Sequence, residues 1–233
     1  MIVTRRNLFV AAAVLSAAVF VRLGFWQLRR RGERRARNAI VASRLDSAAM
    51  DVRAAAADTG HTRFRRVAVR GVPDYEHEIV VGSRTHRGSP GVNLLTPVRL
   101  GRGDAAVMVN RGWVYAPDGA TIDFDRWHDR DSVFSGYVDD LPATGGVRFT
   151  SNPRVVTRLS ADLLRSLPYP VLPIVVVVLG DSEPAADRPA RLGVPPLDEG
   201  PHLSYAIQWF AFALIALVGA GVVVTRSGGP QDA

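Results

Sequence analysis

Two long apolar runs stand at the ends of the chain and enclose a stretch in which apolar and polar residues alternate. The first run, Leu8 to Leu28, is interrupted by a single charge, Arg22, and the second, Leu203 to Thr225, has 23 residues and no charge. A bilayer-spanning helix needs roughly 20 residues at a rise of about 1.5 Å each. We therefore predict transmembrane helices at 8–28 and 203–225, tails at 1–7 and 226–233, and a domain at 29–202.

The pattern between the two runs changes near Asp58 from a helical to a strand-like period. Residues 29–57 are rich in Arg and Ala, so we expect the first helix to continue past the membrane. Beyond them, alternating segments bounded by Gly, Pro and Asp predict strands. The expected strands are Phe64–Gly71, Glu76–Ser83, Val92–Leu100, Ala105–Tyr115, Ser132–Val138, Arg148–Arg158 and Val171–Leu179.

A short helix capped by Ser160 and ending at Leu167 is also expected, followed by a linker over residues 181–200 that is rich in Pro, Asp and Arg. These elements predict a membrane protein of the α+β class. Two terminal transmembrane helices would flank a compact, antiparallel, β-rich extramembrane domain.

The first run has a second interpretation as a cleaved signal peptide. Arg5 and Arg6 precede an apolar core at residues 8–21, which is typical of such peptides. No small-x-small cleavage site follows that core, and the apolar character continues to Leu28. We therefore predict an uncleaved anchor, in which Arg22 either snorkels to the interface or faces the partner helix.

Composition excludes several chemistries and leaves the orientation open. The chain has no cysteine, which removes disulfides and thiolate metal sites. Its net charge of +7 comes from dispersed arginines without lysine, a pattern that gives little support to nucleic-acid binding. Six arginines follow the first run and two precede it, so a local positive-inside count would keep the domain in the cytoplasm. Because long domains translocate despite charge, this count does not decide the side of the membrane.

The chain lacks the motifs of common enzymes, and we expect a protein that is not an enzyme. It has no GxSxG elbow, P-loop, HExxH pair or dinucleotide fingerprint. His61, His77, His86 and His128 lack metal-ligand spacing and are expected at the surface. The acidic patch at residues 123–131 lacks the glycine and the closing Glu of a calcium loop, so we interpret it as a solvated loop.

The start of the second run carries the candidate binding residues. His202, Tyr205, Ala206 and Trp209 fall at i, i+3, i+4 and i+7, so they share one helix face. This face suits a flat apolar ligand with a metal-bearing centre. The alternative is an interfacial aromatic belt beside a solvated histidine. Trp26, Gln27 and Arg30, at and just after the end of the first run, would lie at a depth in the membrane similar to that of His202, Tyr205 and Trp209.

Three motifs in order give the chain a family resemblance. They are LGFWQLRR at residues 23–30, VNRGWV at 109–114 and PHLSYAIQWF at 201–210. Their content, order and spacing resemble the Surf1 (Shy1) family, which assists assembly of haem–copper cytochrome c oxidase. Supporting matches are Phe64-Arg65, Val67, Val69, Gly71, Arg84, Gly91 and Thr96-Pro97.

The resemblance implies a bacterial plasma-membrane protein with two spans and an extracytoplasmic central domain. It also implies a chaperone that helps insert haem a into oxidase subunit I, with haem a synthase as a further partner. The histidine that opens the second span is associated with haem binding in the family, which here makes His202 the expected iron ligand. With the resemblance added, the expected haem a site consists of His202, Tyr205, Trp209, Trp26, Gln27 and Arg30.

The chain departs from the family pattern in three places. Gly200 stands where Asn often precedes the Pro-His pair, residues 150–187 match poorly, and the arginines after the first run oppose the expected topology. The alternative function is a membrane-anchored sensor or scaffold domain that binds no haem.

Overall fold

The computed structural model describes residues 5–101, 105–128, 131–149, 152–180, 183 and 187–226. The chain divides into two compact units, Met1–Ala42 with Leu197–Ala233, and Ser43–Pro196. Residues 1–4 and 227–233 of the predicted tails lie outside the described residues. The α-helices are α1 (Arg5–Asp46), α2 (Val52–Ala57), α3 (Thr59–Thr62) and α4 (His202–Arg226).

The first unit contains the two predicted spans inside α1 and α4. Both helices are long and apolar enough to cross a membrane by length and composition, and most of the surface of each apolar window is exposed. The expected continuation of the first helix past Leu28 is confirmed as far as Asp46. Residues 50–57 then form a short strand and α2 instead of more α1, and Asp51 caps α2 by accepting from two backbone N–H groups.

Small residues form the seam along which α1 and α4 pack as an antiparallel pair. Ala206, Ala213 and Ala220 recur every seven residues of α4 and are buried, as are Ala17 and Gly24 of α1. A Cβ on Gly24 would lie 2.6 Å from the Phe210 ring, so the side chain of α4 occupies the space that this glycine leaves. A seven-residue repeat of small residues allows two helices to approach closely.

Arg22 lies on the outer surface of α1 and is exposed. Of the two alternatives left by the sequence, the structure excludes the one in which Arg22 faces the partner helix, because the seam is formed by other positions. At 100° per residue, Arg22 is roughly 160° around α1 from Gly24.

The second unit contains a mixed nine-stranded sheet in the order β1-β2-β7-β9-β6-β5-β4-β8, with β3 paired to β5. The strands are β1 (Met50–Asp51), β2 (Arg66–Arg70), β3 (Val72–Pro73), β4 (Ile79–His86), β5 (Ser89–Arg99), β6 (Ala106–Tyr115), β7 (Val133–Asp140), β8 (Val155–Val156) and β9 (Val171–Val178). The predicted antiparallel arrangement is wrong for three pairs, because β1–β2, β4–β8 and β6–β9 are parallel. Long connections carry the chain back to the same end of the sheet before β8 and β9, which makes these pairings parallel.

Strand β9 contributes side chains to hydrophobic clusters on both faces of the sheet. Ile174, Val176 and Val178 pack into a cluster with α2, while Val175 packs into a second cluster with Leu164. Because alternate residues of a strand point to opposite faces, a run of valines is buried on both sides. The predicted strand Val171–Leu179 is thus confirmed, and in the sheet it lies between β7 and β6.

Three predicted elements are shorter or differently built than expected. Residues 150 and 151 of the strand predicted at Arg148–Arg158 lie outside the described residues, and the rest of it forms only β8 and an isolated bridge from Arg148 to Val156. The helix after Ser160 is a 3₁₀ turn over Ala161–Ser166, without a side-chain capping bond from Ser160. In the linker, residues 181, 182 and 184–186 lie outside the described residues, and Ala190 forms a bridge with Trp113.

Candidate functional site

The start of α4 and the end of the first apolar run are joined by a hydrogen bond. His202 Nδ1 lies 2.8 Å from Gln27 Oε1. An amide oxygen only accepts, so Nδ1 is the donor in this contact, and the lone pair of the neutral imidazole is on Nε2. The imidazole is half-buried, and its second nitrogen has no hydrogen-bond partner among the described residues. A histidine oriented in this way is typical of metal-ligating histidines, whose other nitrogen is held by a hydrogen bond.

The segment before α4 is fastened to α1 by two acidic residues, Asp198 and Glu199, which we call the acidic clasp. Glu199 Oε2 accepts from Arg31 Nε at 2.7 Å, and Glu199 Oε1 lies 2.6 Å from Arg35 Nε. Asp198 accepts from Arg34 through both its carboxylate and its backbone oxygen. The Asp198 carbonyl also accepts from Asn38 Nδ2 at 2.9 Å.

The clasp holds the turn that precedes His202. Gly200 adopts a positive φ of 68°, and Pro201 follows it as the first residue of the turn into α4. The hydrogen bond from Arg31 and the charge of Arg31 and Arg35 lower the pKa of Glu199 below its ordinary 4.5. The carboxylate is therefore ionised near neutral pH, and the clasp fixes where the first turn of α4 meets α1.

The two aromatic residues predicted on the face of His202 lie in different surroundings. Trp209 stacks on Phe20 of α1, with ring centroids 5.6 Å apart at 25°, and also contacts Phe212 edge-on. Tyr205 is 46% exposed. Ala206 is buried in the helix seam. The structure therefore places Trp209 in helix packing and leaves Tyr205 open beside His202.

The remaining two predicted residues lie away from the seam. Trp26 is 51% exposed and lines a shallow hollow of about 500 Å³ with Arg22, Leu23, Phe25 and Arg29. Arg30 donates to Glu33 Oε2 at 2.9 Å, one turn further along α1. Of the six predicted residues, the structure joins His202 to Gln27 by a direct contact. Trp26 lies roughly 160° around α1 from Gly24 and does not face α4.

The central motif, VNRGWV at residues 109–114, contains a β-bulge at Arg111. Opposite it on β5, Leu94 pairs with Gly112 and Leu95 pairs with Asn110, so Arg111 is the extra residue of β6. Gly112 has a φ of 135°, and a Cβ there would lie 2.2 Å from the Ala190 carbonyl oxygen. Such a bulge re-aims the side chain of the extra residue, and here it turns Arg111 into the interior.

Arg111 is fully buried in a network of polar groups. Its Nε donates to Thr96 Oγ1 at 2.7 Å, its Nη2 to Glu78 Oε2 at 2.5 Å, and its Nη1 to the Trp127 carbonyl at 2.5 Å. Thr96 Oγ1 also donates to Glu78 Oε2. Glu78 Oε1 has no hydrogen-bond partner among the described residues. Among the described residues, the Glu78 carboxylate is therefore hydrogen-bonded through Oε2 only.

Trp113 completes the motif as a packing residue. Its ring is 6% exposed and lies against Gly91, where a Cβ would approach the indole to 2.4 Å. Its Nε1 lies 3.4 Å from the Arg84 carbonyl, and its backbone pairs with Ala190 in both directions. The supporting matches Arg84, Gly91 and Thr96 thus surround the central motif. In this structure the motif at residues 109–114 is therefore strand structure around a buried Trp.

Sequence reasoning missed the partners of Arg111. An arginine between buried strand residues requires an acceptor, and this requirement was the available signal. Glu78 lay within the predicted strand Glu76–Ser83, and nothing in the local sequence marked it as the partner of Arg111. The acidic patch was interpreted as a solvated loop, yet Trp127 within it is buried and supplies an acceptor to Arg111. Asp129 and Arg130 of that patch lie outside the described residues.

A second hollow of about 390 Å³ lies on the sheet of the second unit. Asn93, Asn110 and Val177 form part of its floor, and Arg84 and Arg158 stand at its rim. Its polar groups make it a candidate binding cleft. Within the described ranges, no group of three or more His, Asp or Glu side chains is arranged to hold a metal ion.

The expected surface position of the domain histidines holds for some of them. His61 is exposed beside Asp58, and His128 stacks on Tyr75 with centroids 4.1 Å apart. His86 is half-buried: its ring packs against Trp113 and its Nε2 is buried, so this histidine is less exposed than predicted.

The architecture defines a class of protein in which the chain forms an apolar helix, then a mixed β-sheet domain, then a second apolar helix that packs on the first near a His–Gln contact. The model of the SURF1 family matches residues 14–214, which include most of α1, the whole sheet domain and the first half of α4. The chain belongs to the SURF1 family.

Curated relatives carry the same family name. The chain is 25% identical over 231 residues to a SURF1-like protein of Monosiga brevicollis, which covers 90% of this chain and 85% of that protein. It is 60% identical over 30 residues to uncharacterized SURF1-like proteins of Mycobacterium bovis and Mycobacterium tuberculosis. Those short matches cover 13% of this chain and 11% of each relative. The long match extends the similarity over most of the chain, and family membership points to a role in cytochrome oxidase assembly.

Proposed function

We propose that this chain is a membrane chaperone that assists insertion of haem a into subunit I of cytochrome c oxidase. The observation that carries the proposal is the hydrogen bond between His202 and Gln27, in a chain of the SURF1 family. It leaves His202 Nε2 as a nitrogen ligand for the iron of the haem cargo. Haem a synthase is the proposed donor, and the protein acts by binding and handing over rather than by catalysis.

The side chains around His202 fit a haem held at the flank of the helix pair. The seam itself is closed by Ala206 and Gly24, so a macrocycle has no space between the two helices. Tyr205 is half-exposed and supplies a ring beside the imidazole. The guanidinium of Arg30 is 45% exposed and can pair with a haem propionate in exchange for Glu33. Trp209 supports this site through its stack on Phe20.

The proposed location is the bacterial plasma membrane, with two spans and the central domain outside the cytoplasm. Length and composition of α1 and α4 support insertion. The arginines after the first run do not prevent this orientation, because long domains translocate largely regardless of charge. A reporter fused to the C-terminus should be active only in the cytoplasm. Reporter activity outside the cytoplasm would show the opposite orientation and contradict this proposal.

The test is an absorption spectrum of the full chain purified from cells that make haem a. We expect bound haem in the wild type and about a tenfold or greater loss in His202→Ala, because no other histidine lies in the first unit. Trp209→Phe should lose little, since another ring fills most of the space. His61→Ala, an exposed histidine of the sheet domain, is the matched control. Full haem content in His202→Ala would contradict the proposal.

A second candidate is an anchored sensor or scaffold that binds no haem. The cleft with Asn93, Asn110 and Arg158 is the observation that favours it, since it offers polar groups to a ligand of the domain. This candidate predicts a colourless protein and normal oxidase levels after deletion of the gene. The chaperone predicts a selective loss of oxidase that the wild-type chain restores and that His202→Ala does not.

A further inference from the structure

The hollow on the outer face of α1 brings two guanidinium groups together with aromatic rings. Arg22, Trp26 and Arg29 lie roughly 140–200° around the helix from Gly24, so they line the side of α1 opposite the seam. Phe25 and Leu23 complete the lining of about 500 Å³. The hollow does not include His202 or Gln27.

Several arginines of α1 have partners within the chain. Arg31, Arg34 and Arg35 are bound by the acidic clasp of the same chain. Neither Arg22 nor Arg29 has a hydrogen bond or ion pair with any described residue. A charge within an apolar span is costly unless it finds a partner. The acceptor for these two arginines must therefore come from the surroundings of the helix.

The depth of the two arginines fits the level of lipid phosphates. Arg29 follows the last residue of the apolar run, and Arg22 lies six residues before that end, or about 9 Å deeper at the helical rise. A guanidinium at that depth snorkels along the helix toward the interface. Both groups then approach the interfacial layer, where Trp26 is also a favoured residue. Apolar Leu23 and Phe25 suit an acyl chain.

We propose that the hollow formed by Arg22, Leu23, Phe25, Trp26 and Arg29 binds an anionic phospholipid. The phosphodiester accepts hydrogen bonds from both guanidiniums, and the upper acyl chain packs on Phe25 and Trp26. Arginine is suited to this role because its planar fork donates two parallel bonds to a phosphate. A phosphate is favoured over a carboxylate from another membrane helix, because the two arginines converge near the interface rather than in the apolar core. This inference is independent of the proposed haem function.

The test uses the full chain produced in cells that make no haem a, which removes propionates as a competing anion. Native mass spectrometry would compare retained phosphatidylglycerol with phosphatidylcholine after exchange from mixed micelles. We expect phosphatidylglycerol to be preferred, and Arg22→Gln or Arg29→Gln each to lower its retention about fivefold. Arg37→Gln is the matched control, since it removes an exposed α1 arginine outside the hollow.

A second readout locates the lipid. Brominated phosphatidylglycerol should quench the fluorescence of the wild type more than that of Trp26→Phe. Equal retention of both lipids, or equal loss in Arg22→Gln and Arg37→Gln, would overturn the proposal. If Arg22→Gln instead removes co-purifying oxidase subunit I while lipid retention is unchanged, the face docks a protein helix and the lipid proposal is wrong.

Discussion

The helix pair and the sheet domain each contain a family motif with polar residues, and they place those residues in opposite environments. In the helix pair, His202 is half-buried and keeps one nitrogen free, while Tyr205 stands open beside it. In the sheet domain, Arg111 is fully buried and bonded to Glu78, Thr96 and Trp127. The first arrangement leaves bonding capacity for a ligand. In the second, the fold itself uses the bonding capacity of the arginine. A motif shared within a family can therefore contain residues that stabilise the fold as well as residues that bind a ligand.

Arg111→Ala should have the largest effect, on stability. It leaves Glu78 ionisable, buried and without its charged partner, which typically costs about 3–5 kcal/mol of the free energy of unfolding. Urea unfolding in micelles would measure the change. His202→Ala should cost about 1 kcal/mol, because it removes a single hydrogen bond.

The comparison also predicts how these losses combine. Adding Glu78→Ala to Arg111→Ala should recover part of the stability, because no uncompensated charge then remains. Additive losses in the double variant would show that the pair is not coupled, and a loss above 3 kcal/mol in His202→Ala would erase the contrast between the two regions.

Two motif glycines predict an intermediate effect. In Gly112→Ala the new Cβ would meet a backbone oxygen at 2.2 Å, and the residue has a positive φ. The bulge must therefore shift, which should lower the free energy of unfolding by about 1–3 kcal/mol. In Gly24→Ala the new Cβ meets the far end of the Phe210 ring, which can rotate away. The midpoint temperature of thermal unfolding should therefore be well below that of Gly24→Ala in the Gly112→Ala variant. The reverse order would mean that the helix seam is the more rigid region.

Gln27→Ala should weaken haem binding and should cost about 1 kcal/mol of stability, because it removes the same hydrogen bond as His202→Ala. Removing the group that orients a metal-bound histidine typically lowers affinity about tenfold or more. Titration of haem into the purified variant, followed by absorption, measures this change. Gln208→Ala, an exposed amide within α4, serves as the control and should bind as the wild type does. Unchanged affinity in Gln27→Ala would show that the contact belongs to helix packing.

The acidic clasp gives the smallest effect, and its pH dependence has a definite sign. The pKa of Glu199 is lowered in the folded chain, so its contribution is fully present above the ordinary value of 4.5 and is lost as pH falls through the lowered pKa. Glu199→Gln should thus reduce the thermal midpoint slightly at pH 7, with the difference fading at acid pH. Glu33→Gln, whose partner Arg30 is one turn away, is the control. A difference that grows toward acid pH would contradict this account.

Much of the fold followed from local pattern. The two apolar runs predicted α1 and α4, the strand-like segments bounded by Gly, Pro and Asp predicted β2, β5, β6 and β7 within a few residues, and a continuous run of valines predicted β9. Local pattern could not show that β8 and β9 join the sheet in parallel, since pairing direction depends on where the long connections return. The short strands β1 and β3 were missed because two residues carry no period.

The sequence by itself determined the apolar helices, the strand periods, the absence of thiol chemistry and the motifs that indicate the family. It also placed His202 and Gln27 at a similar depth, because depth along a helix follows from residue count. Tertiary structure decided which of these residues meet. Helix azimuth and the Ala–Gly seam bring Gln27 to His202 and turn Trp26 away, while one extra residue in β6 buries Arg111 against Glu78. Such contacts depend on register between distant segments, and no single segment contains that information.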